Sequence, residues 1–533
     1  MQAPKLPDNA PFDPAYRAWL NGYLAGLVST GEGLELDIDG SAEPVATQPS
    51  PSTQDGVGSG EDIDLDEAAW HDMSLPLDDR MGLVAEDAPL HHHLMAAMAQ
   101  QDCGQCGYDC KGYSAALSSG EETDPGLCVP GSAKTRKKVK ALLETSATVN
   151  SATAPPAAEM PVMGYAKNHP YMARLKSVHQ LNGQDSPKET VHAVIDLKGS
   201  GLEYSPGDSL GVYPRNSPGL VTGILSALNL DAQASIALKD GTYTAHEALS
   251  VLVDVTCPSD EALECLAQSA TRPADREALE AIAEESLDDS PLDLYDILSR
   301  YPSARPDAAE ILHRLNPLRP RLYSISSAYR QNRDEVHLTV AAVRYEAEGR
   351  QREGVASTFI SDRATGKPLP IYFQKAHDFS LPDDDGRPIV MVGPGTGIAP
   401  FRAFLQERVH RQATGGAWLF FGNPHESTDF LYRDELEACM DEGVLTRLTT
   451  AFSRDGAEKV YVQDRLIEQA HDLWQWLEAG AHIYVCGDAT QMAAAVHDAF
   501  IHIIQKEGKY EKADASDYLA ALSKTGRYQR DIY

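Results

Sequence analysis

Short apolar segments alternate with amphipathic segments from Arg387 to the end of the chain. The apolar segments read PIVMV, AWLFF and AHIYVCG, and the amphipathic segments include FRAFLQERV and QMAAAVHDAFIHIIQ. Parallel strands need long crossover connections, and these are usually helices. Short apolar strands that alternate with helices therefore predict a parallel, doubly wound α/β domain over residues 387–533.

A glycine-rich turn follows the first of these predicted strands. The sequence VGPGTGIAPFRAF places Gly393, Gly395, Thr396 and Gly397 between that strand and the next helix. Glycines let backbone N–H groups approach a phosphate closely, and a helix N-terminus favours negative charge. We predict a nucleotide-binding turn; an ordinary tight turn is the alternative interpretation.

Two cations lie on one short stretch downstream, Arg454 in SRD and Lys459 in KVYVQD. Two cations beside a nucleotide pocket suit a ribose 2′-phosphate, so the pair favours NADPH over NADH. A solvated surface pair is the alternative. The other candidates for this end of the nucleotide are Ser453, Tyr461 and Gln463.

The preceding part of the chain follows a different pattern. Residues 189–215 alternate like antiparallel strands and are interrupted by a Pro-Gly-Asp turn, and strand patterns return at RLYSISS and EVHLTVAAVRY. Residues 218–316 are rich in Ala, Leu and Glu and predict helices. We predict an antiparallel β-barrel domain over residues 164–386 that carries a helical insertion over 218–316.

Length and charge limit the classes of function. A chain of 533 residues predicts two to four domains, and it contains no run of eighteen apolar residues and no visible secretory signal. We therefore expect a cytoplasmic protein without a membrane span. The net charge of −33 argues against nucleic acid and anionic lipid as partners. It suits a partner with a basic docking face, or it serves only solubility.

The first 163 residues read as short modules and linkers. Residues 11–29 predict an amphipathic helix, so residues 1–30 are interpreted as a docking or oligomerisation segment, or as a locally packed helix. Residues 31–90 are acidic and rich in Gly, Ser and Pro, which predicts a flexible linker. A second linker is expected over 134–163, where TSATVN follows a basic helix. A cysteine module over 91–133 separates the two linkers.

Four cysteines in this module are candidate metal ligands. They are Cys103, Cys106, Cys110 and Cys128. Clustered thiols in a reducing compartment favour metal sites over disulfides. Zinc sites usually have two separated C-x₂-C pairs, whereas three cysteines on one turn and a distant fourth before proline suit an iron–sulfur cluster. We predict a 4Fe–4S cluster, with zinc or uncoordinated thiols as alternatives. Cys257, Cys265 and Cys439 are scattered and are interpreted as packing residues.

Several motifs together resemble a known family. The motifs are RLYSISS, VRYEAEG, GVAS, GPGTGIAPFRAFLQER, WLFFGNPHESTDFLY, GVLTRLTTAFSRD, EKVYVQDRL, AHIYVCGDA and the C-terminal GRYQRDIY. In this order they resemble the ferredoxin–NADP⁺ reductase module of diflavin reductases, in particular the flavoprotein (alpha) subunits of NADPH-dependent sulfite reductases. The resemblance covers residues 164–533 and implies an FAD domain followed by an NADP domain.

The resemblance also implies roles for individual residues. Arg321 should bind the FAD pyrophosphate, Tyr323 should pack on the flavin, and Ser324 should reach its N5 edge. The other implied FAD contacts are Thr256, Leu322, Thr339, Val340, Ala341, Tyr345, Gly354, Val355, Ala356 and Ser357. Cys486 and Asp531 should assist hydride transfer together with Ser324, and Tyr533 should cover the flavin face. Ala495 departs from the family pattern, which has an acidic residue there.

The relatives carry an FMN domain ahead of this module, and the first 163 residues lack the pattern for one. We therefore expect FAD, NADPH and a 4Fe–4S cluster as cofactors, with the cluster relaying single electrons to a separate sirohaem-containing sulfite reductase subunit. Two alternatives stay open. The acceptor could be nitrite or nitrate reductase, ferredoxin or a cytochrome, or the chain could be an assembly protein without activity.

Overall fold

The structure is a computed structural model that describes residues 68, 70, 75–85, 88–100, 108, 110–128, 131–147, 162–238, 241–285, 290–376, 379–489 and 491–533. The helix expected over residues 11–29 lies outside the described residues, as does most of the expected acidic linker. Within the described residues, no helix combines the length and the apolar character that a membrane crossing requires.

The described strands fall into two large sheets and two short hairpins. They are β1 (Tyr171–Gln180), β2 (Thr190–Asp196), β3 (Ser209–Val212), β4 (Ser235–Leu238), β5 (Gly241–Thr244), β6 (Arg321–Ser324), β7 (Glu335–Ala341), β8 (Arg344–Ala347), β9 (Arg350–Glu353), β10 (Pro368–Gln374), β11 (Ile389–Val392), β12 (Ala417–Asn423), β13 (Arg447–Phe452), β14 (His482–Gly487) and β15 (Tyr528–Ile532).

The described α-helices connect these strands or precede them. They are α1 (Leu77–Leu83), α2 (Leu90–Ala97), α3 (Cys110–Ser119), α4 (Ser132–Ala147), α5 (Pro218–Ala227), α6 (Ala245–Glu247), α7 (Asp260–Ser269), α8 (Pro273–Glu285), α9 (Leu294–Arg300), α10 (Ala308–Arg314), α11 (Val355–Thr358), α12 (Ala399–Arg411), α13 (Glu426–Asp429), α14 (Arg433–Asp441), α15 (Val462–Glu468), α16 (Ala470–Glu478), α17 (Met492–Gly508) and α18 (Lys512–Lys524).

The first large sheet is antiparallel and has six strands in the order β6-β3-β10-β1-β2-β7. An antiparallel bridge between Ile325 and Leu338 joins the two edge strands, so the sheet curls into a barrel. Alternate residues of β2, such as Val191, Ala193 and Ile195, are buried in its core. The barrel and the insertion of α5 to α10 match the antiparallel architecture that the sequence predicts. The insertion has its own apolar core, which includes Leu249, Leu266 and Ile297, and it also holds the β4–β5 hairpin.

The second large sheet is parallel and has the order β13-β12-β11-β14-β15. Alternate residues of its central strand β11 belong to two different cores, since Ile389 and Met391 face one side and Val390 and Val392 face the other. Helices cover both faces, which confirms the predicted doubly wound α/β fold. The chain runs outward from β11 through β12 to β13 and then returns to β14 on the other side of β11. Ligands of such sheets bind where the strand order reverses, at the carboxyl ends of the strands.

A buried carboxylate joins the two sheets at one point. Asp429 is fully buried at the end of α13. It accepts hydrogen bonds from Asn182 Nδ2 at 2.8 Å and Ser186 Oγ at 2.5 Å, both in the loop between β1 and β2. It also accepts the backbone N–H of His425 at 3.1 Å. This carboxylate fixes the edge of the parallel domain against the antiparallel domain.

Helices form in both segments that the sequence predicts as linkers, and they share one apolar cluster with the cysteine module, so the folded cysteine module comprises the described residues from 68 to 147. Helix α1 lies inside the segment 31–90, and α4 occupies the first part of the segment 134–163. Thr135 and Val139 are buried one turn apart on α4, and Val139 packs in the module's apolar cluster, so this face of the helix is held against the module. The rest of the second linker, from residue 148 to 161, lies outside the described residues.

Candidate functional site at the strand-order reversal

The glycine-rich turn lies against the end of the neighbouring strand β14. A Cβ atom at Gly397 would come within 2.1 Å of the carbonyl oxygen of Cys486, and one at Gly393 would come within 2.4 Å of the carbonyl oxygen of Gly397. Both glycines are therefore required by close approach of the backbone. Gly395 has open space around it and a φ of +57, so its left-handed backbone conformation is the reason for a glycine at this position. The turn lies at the reversal of strand order, where its sequence predicts a nucleotide.

Three predicted catalytic side chains meet beside this turn. Strands β14 and β15 pair in parallel with Cys486 opposite Asp531. The Asp531 carboxylate accepts a hydrogen bond from Ser324 Oγ at 2.5 Å and one from Cys486 Sγ at 3.6 Å. Because Ser324 ends β6 of the barrel, the cluster lies where the antiparallel and parallel domains meet. The structure thus brings together three residues that are far apart in the sequence.

Burial dominates the electrostatics of this cluster. It raises the pKa of Asp531, although the hydrogen bonds from Ser324 and Cys486 act in the opposite direction. Burial also raises the pKa of the Cys486 thiol well above its usual range, and the neighbouring Asp531 charge adds to this effect. Cys486 is therefore a thiol at neutral pH, and it can act as a donor but not as a thiolate nucleophile.

The C-terminal Tyr533 covers the cluster from the side of the glycine-rich turn. Its hydroxyl shares a hydrogen bond with Thr396 Oγ1 at 2.8 Å. Its backbone N–H donates to Gly487 O at 3.1 Å, and its carbonyl oxygen accepts from the N–H of Ala489 at 3.2 Å. The backbone of Tyr533 is therefore anchored, and the residue as a whole is 40% exposed. A change of its side-chain rotamer would break the hydrogen bond to Thr396 without moving the strand.

The residues expected at the FAD pyrophosphate form a small charged group on the barrel. Arg321 Nη2 lies 3.9 Å from Asp254 Oδ2, and its Nη1 donates to Arg319 O at 3.3 Å. Thr256 donates to Asp254 Oδ1 through its N–H at 2.8 Å and through its hydroxyl at 2.6 Å. Thr256 is thus linked to Arg321 through Asp254. The Arg321 guanidinium is only loosely paired with Asp254, so it suits a phosphate ligand.

The remaining FAD candidates occupy different environments. Tyr323 and Leu322 lie on β6 beside Arg321, and burial raises the pKa of Tyr323. Tyr345 on β8 is 50% exposed, as a residue that stacks on a ligand ring would be. Gly354 precedes α11, whose first residues are Val355, Ala356 and Ser357. A Cβ at Gly354 would come within 2.6 Å of Ser357 Oγ, so this turn is also close-packed.

The three candidate residues of strand β7 occupy different environments. The Thr339 hydroxyl shares a hydrogen bond with Tyr432 OH at 2.7 Å, so it contacts the parallel domain. The Val340 side chain is buried in the barrel core. Ala341 is exposed. The side chains of Thr339 and Val340 therefore have partners other than a ligand, which leaves the backbone of β7 and Ala341 for this role.

The candidate residues for the 2′-phosphate lie after β13. Ser453 and Arg454 donate their backbone N–H groups to Asn423 O at 3.1 Å and Pro424 O at 2.9 Å. The side chains of Arg454 and Lys459 are exposed, and among the described residues neither has an ion-pair partner. The adjacent carboxylate, Asp455, is already bonded to His425 at 2.8 Å. The two cations are therefore available for an anion.

Tyr461 and Gln463 lie at the start of the next helix. Tyr461 precedes α15, its ring is 44% exposed, and its backbone N–H donates to Asp464 Oδ2 at 2.8 Å. Gln463 is partly buried in the first turn of α15.

Sequence reasoning missed Lys188, which reaches this end of the site from the other domain. Its Nζ donates to Asn423 Oδ1 at 3.0 Å. Partial desolvation lowers the pKa of Lys188, and the charges of Asp429 and Arg454 act on it in opposite directions. No local pattern marks Lys188 as functional, because its neighbours in space are distant in sequence.

The cysteine candidates are only partly described. Cys110 is buried at the first position of α3, and Cys128 is partly buried in the same apolar cluster. Cys128 Sγ accepts the backbone N–H of Ala99 at 3.4 Å. Cys103 and Cys106 lie outside the described residues, and the described part of the chain has no group of three His, Cys, Asp or Glu residues that could hold a metal. The two described thiols therefore belong to one apolar cluster of the module.

The fold and the site define an oxidoreductase of the ferredoxin–NADP⁺ reductase type, with an FAD-binding barrel and a pyridine-nucleotide domain. Residues 164–359 match the FAD binding domain family, and residues 391–498 match the family described as oxidoreductase NAD-binding domain. The first segment contains every strand of the barrel except β10, and the second begins within β11 and ends before β15.

Similar proteins place the chain in a narrower family. It is 44% identical to the "Sulfite reductase [NADPH] flavoprotein alpha-component" of Bacillus subtilis over 69% of this chain and 62% of the relative. The proteins of the same name from Vibrio cholerae and Zymomonas mobilis are 42% and 40% identical, over 69% and 75% of this chain and 60% and 67% of their own lengths. The chain belongs to the family of sulfite reductase flavoprotein alpha-components. It spans about three fifths of the length of most relatives it matches.

Proposed function

We propose that the chain is the NADPH-oxidising flavoprotein component of a sulfite reductase. The observation that carries this proposal is the cluster of Ser324, Cys486 and Asp531 beside the glycine-rich turn, with Tyr533 across it. A flavin bound by the barrel would accept a hydride and release electrons singly. The residues of this chain would supply binding, orientation and electrostatics for that chemistry.

Each part of the site has a physical task in this proposal. Arg321 neutralises pyrophosphate, and Tyr323 offers an aromatic surface for a ring system. The close contact between Gly397 and the end of β14 holds the nucleotide turn beside the cluster. Asp531 orients the Ser324 hydroxyl and the Cys486 thiol at the place where the nicotinamide would lie. Tyr533 keeps water from the cluster until the nucleotide displaces its ring.

We predict that Arg454→Ala will raise the KM for NADPH about tenfold to a hundredfold and leave the KM for NADH nearly unchanged. Hydrogen bonds between charged groups contribute about 1.5–3 kcal/mol each, and only NADPH carries the 2′-phosphate that Arg454 would bind. The measurement is steady-state ferricyanide reduction with both nucleotides. Arg447→Gln is the matched control. Arg447 lies on β13, the strand that precedes Arg454, but it already pairs with Asp472 of α16 at 2.6 Å. An equal rise of both KM values would contradict the assignment.

We further propose that Cys103, Cys106, Cys110 and Cys128 hold a 4Fe–4S cluster that passes single electrons to a sirohaem-containing partner. The cysteine spacing and the shared burial of Cys110 and Cys128 support this part of the proposal. The names of the relatives support a sulfite reductase as the acceptor complex. The whole complex, not this chain, would reduce sulfite.

The test combines cofactor analysis with one variant. We expect the purified full chain, kept anaerobic, to contain FAD and iron and to lose its flavin absorbance when titrated with NADPH. Cys106→Ser should abolish electron transfer to a haem acceptor and leave NADPH–ferricyanide activity largely intact. Cys439→Ser is the control, because Cys439 lies in the NADP domain. Iron-free protein, or a Cys106→Ser variant that still reduces haem, would refute the relay.

A further inference from the structure

Ion pairs connect the cysteine module with the reductase body. Its apolar cluster, which includes Leu94, Tyr113, Leu127 and Val139, contains only residues of the module. The apolar cores of the insertion and of the barrel contain no residue of the module. Surfaces that dock without a shared apolar core resemble transient interfaces more than the interior of a domain.

Three ion pairs cross this contact among the described residues. Asp124 pairs with Arg319, Glu122 Oε2 lies 3.6 Å from Lys167 Nζ, and Arg136 Nη2 lies 2.9 Å from Asp260 Oδ2. Each of the six side chains is at most a third exposed. The pairs are therefore partly desolvated, in contrast to surface pairs such as Arg300–Glu348, where both side chains are at least 40% exposed.

The three pairs reach different parts of the body. Lys167 precedes β1 of the barrel, Asp260 is the first residue of α7 in the insertion, and Arg319 lies just before β6. The carbonyl oxygen of Arg319 accepts a hydrogen bond from Arg321, the residue expected at the FAD pyrophosphate. The module thus spans the junction of barrel and insertion, next to the strand that would hold the flavin. Lys167 also lies 5.0 Å from the centre of the Tyr108 ring.

We propose that Glu122–Lys167, Asp124–Arg319 and Arg136–Asp260 form a releasable ionic latch. The latch seats the module beside β6, and the module leaves this seat to deliver electrons to a protein acceptor. The delivery step rests on the proposed function, whereas the latch concerns only contacts between described residues. Salt shortens the Debye length from about 10 Å at 0.1 M to about 3 Å at 1 M, so salt should weaken the latch.

The test is hydrogen exchange of the full chain, followed by mass spectrometry of peptides from residues 110–147. The double variant Glu122→Gln with Asp124→Asn removes two latch charges and keeps acceptor oxygens for the backbone N–H groups of Thr123 and Gly126. We expect exchange to accelerate about threefold to tenfold at low salt, as loss of two such pairs implies. Exchange of the wild-type protein should accelerate toward this rate at about 1 M NaCl, where charge interactions are weakened.

A charge swap separates the latch from simple destabilisation of the module. Arg136→Asp should accelerate exchange, and adding Asp260→Arg should restore the slow rate at low salt. Arg300→Gln is the control and should leave exchange in residues 110–147 unchanged. Exchange that is insensitive to salt and to the amide variant, or a swap that fails to restore protection, would overturn the latch.

A kinetic readout tests release itself. At low salt the Glu122→Gln, Asp124→Asn variant should reduce cytochrome c faster than wild type, and the difference should vanish at high salt. Equal or slower reduction at low salt would show that undocking does not limit delivery. FAD content, iron content and NADPH–ferricyanide activity are measured on the same samples. A loss of iron or flavin would count against the proposed function, whereas the exchange data decide the latch alone.

Discussion

Gly397→Ala is expected to slow flavin reduction by NADPH about a hundredfold while FAD remains bound. The added Cβ would meet the Cys486 carbonyl oxygen at 2.1 Å and its carbonyl carbon at 2.8 Å. Both atoms belong to the backbone of a buried strand, so the turn must move rather than the strand. A displacement of about 1 Å at a reacting centre can cost about a hundredfold in rate. The measurement is stopped-flow reduction of the flavin by NADPH.

The neighbouring glycine provides a matched control. Gly395 has φ +57, and a Cβ added there would meet no atom of another part of the chain within 4 Å, so alanine costs only backbone strain of about 1–2 kcal/mol. We expect Gly395→Ala to lower thermal stability slightly and to change the rate less than tenfold. If Gly395→Ala and Gly397→Ala slow the reaction equally, the contact with β14 does not position the nucleotide.

Local patterns in the sequence were sufficient to predict both sheets. The apolar run PIVMV, the glycines after it and the helix from Ala399 are adjacent in the chain, so each signal supports the next. The same holds for the strands at Arg321 and Glu335. The cluster of Ser324, Cys486 and Asp531 was expected only from resemblance, because no local pattern relates residues that lie on three separate strands.

Contacts between domains were beyond the reach of sequence patterns. Alternation along β7 shows that Thr339 and Val340 face opposite sides, but it does not show that Tyr432 will contact one of them. Lys188 reaches Asn423 across 235 residues of sequence. The basic helix ahead of TSATVN was expected from the sequence, but its packing was not. Thr135 and Val139 of α4 are buried one helical turn apart, and Val139 packs in the apolar cluster of the cysteine module.

The second large effect is expected at the carboxylate of the site. Asp531→Asn should lower the rate of hydride transfer from NADPH about a hundredfold and leave NADPH affinity within a few-fold of wild type. Departure of a hydride turns the neutral dihydronicotinamide into a cation, so a nearby carboxylate stabilises the transition state more than the ground state. Asparagine retains one acceptor oxygen for Ser324 but lacks the charge. Asp472→Asn, which alters the exposed partner of Arg447, is the control.

The pH dependence distinguishes this charge effect from a loss of geometry. Because burial raises the pKa of Asp531, its carboxyl takes up a proton at a higher pH than an ordinary aspartate does. In wild-type protein the hydride-transfer rate should therefore fall as pH decreases through this raised pKa, and in Asp531→Asn that part of the profile should be flat.

Ser324→Ala should retain the wild-type profile at a lower rate, since the carboxylate remains. Combining both substitutions should cost less than the sum of the two single losses, because Ser324 and Asp531 share one hydrogen bond. A variant Asp531→Asn with the full wild-type pH dependence would exclude this carboxylate as the titrating group.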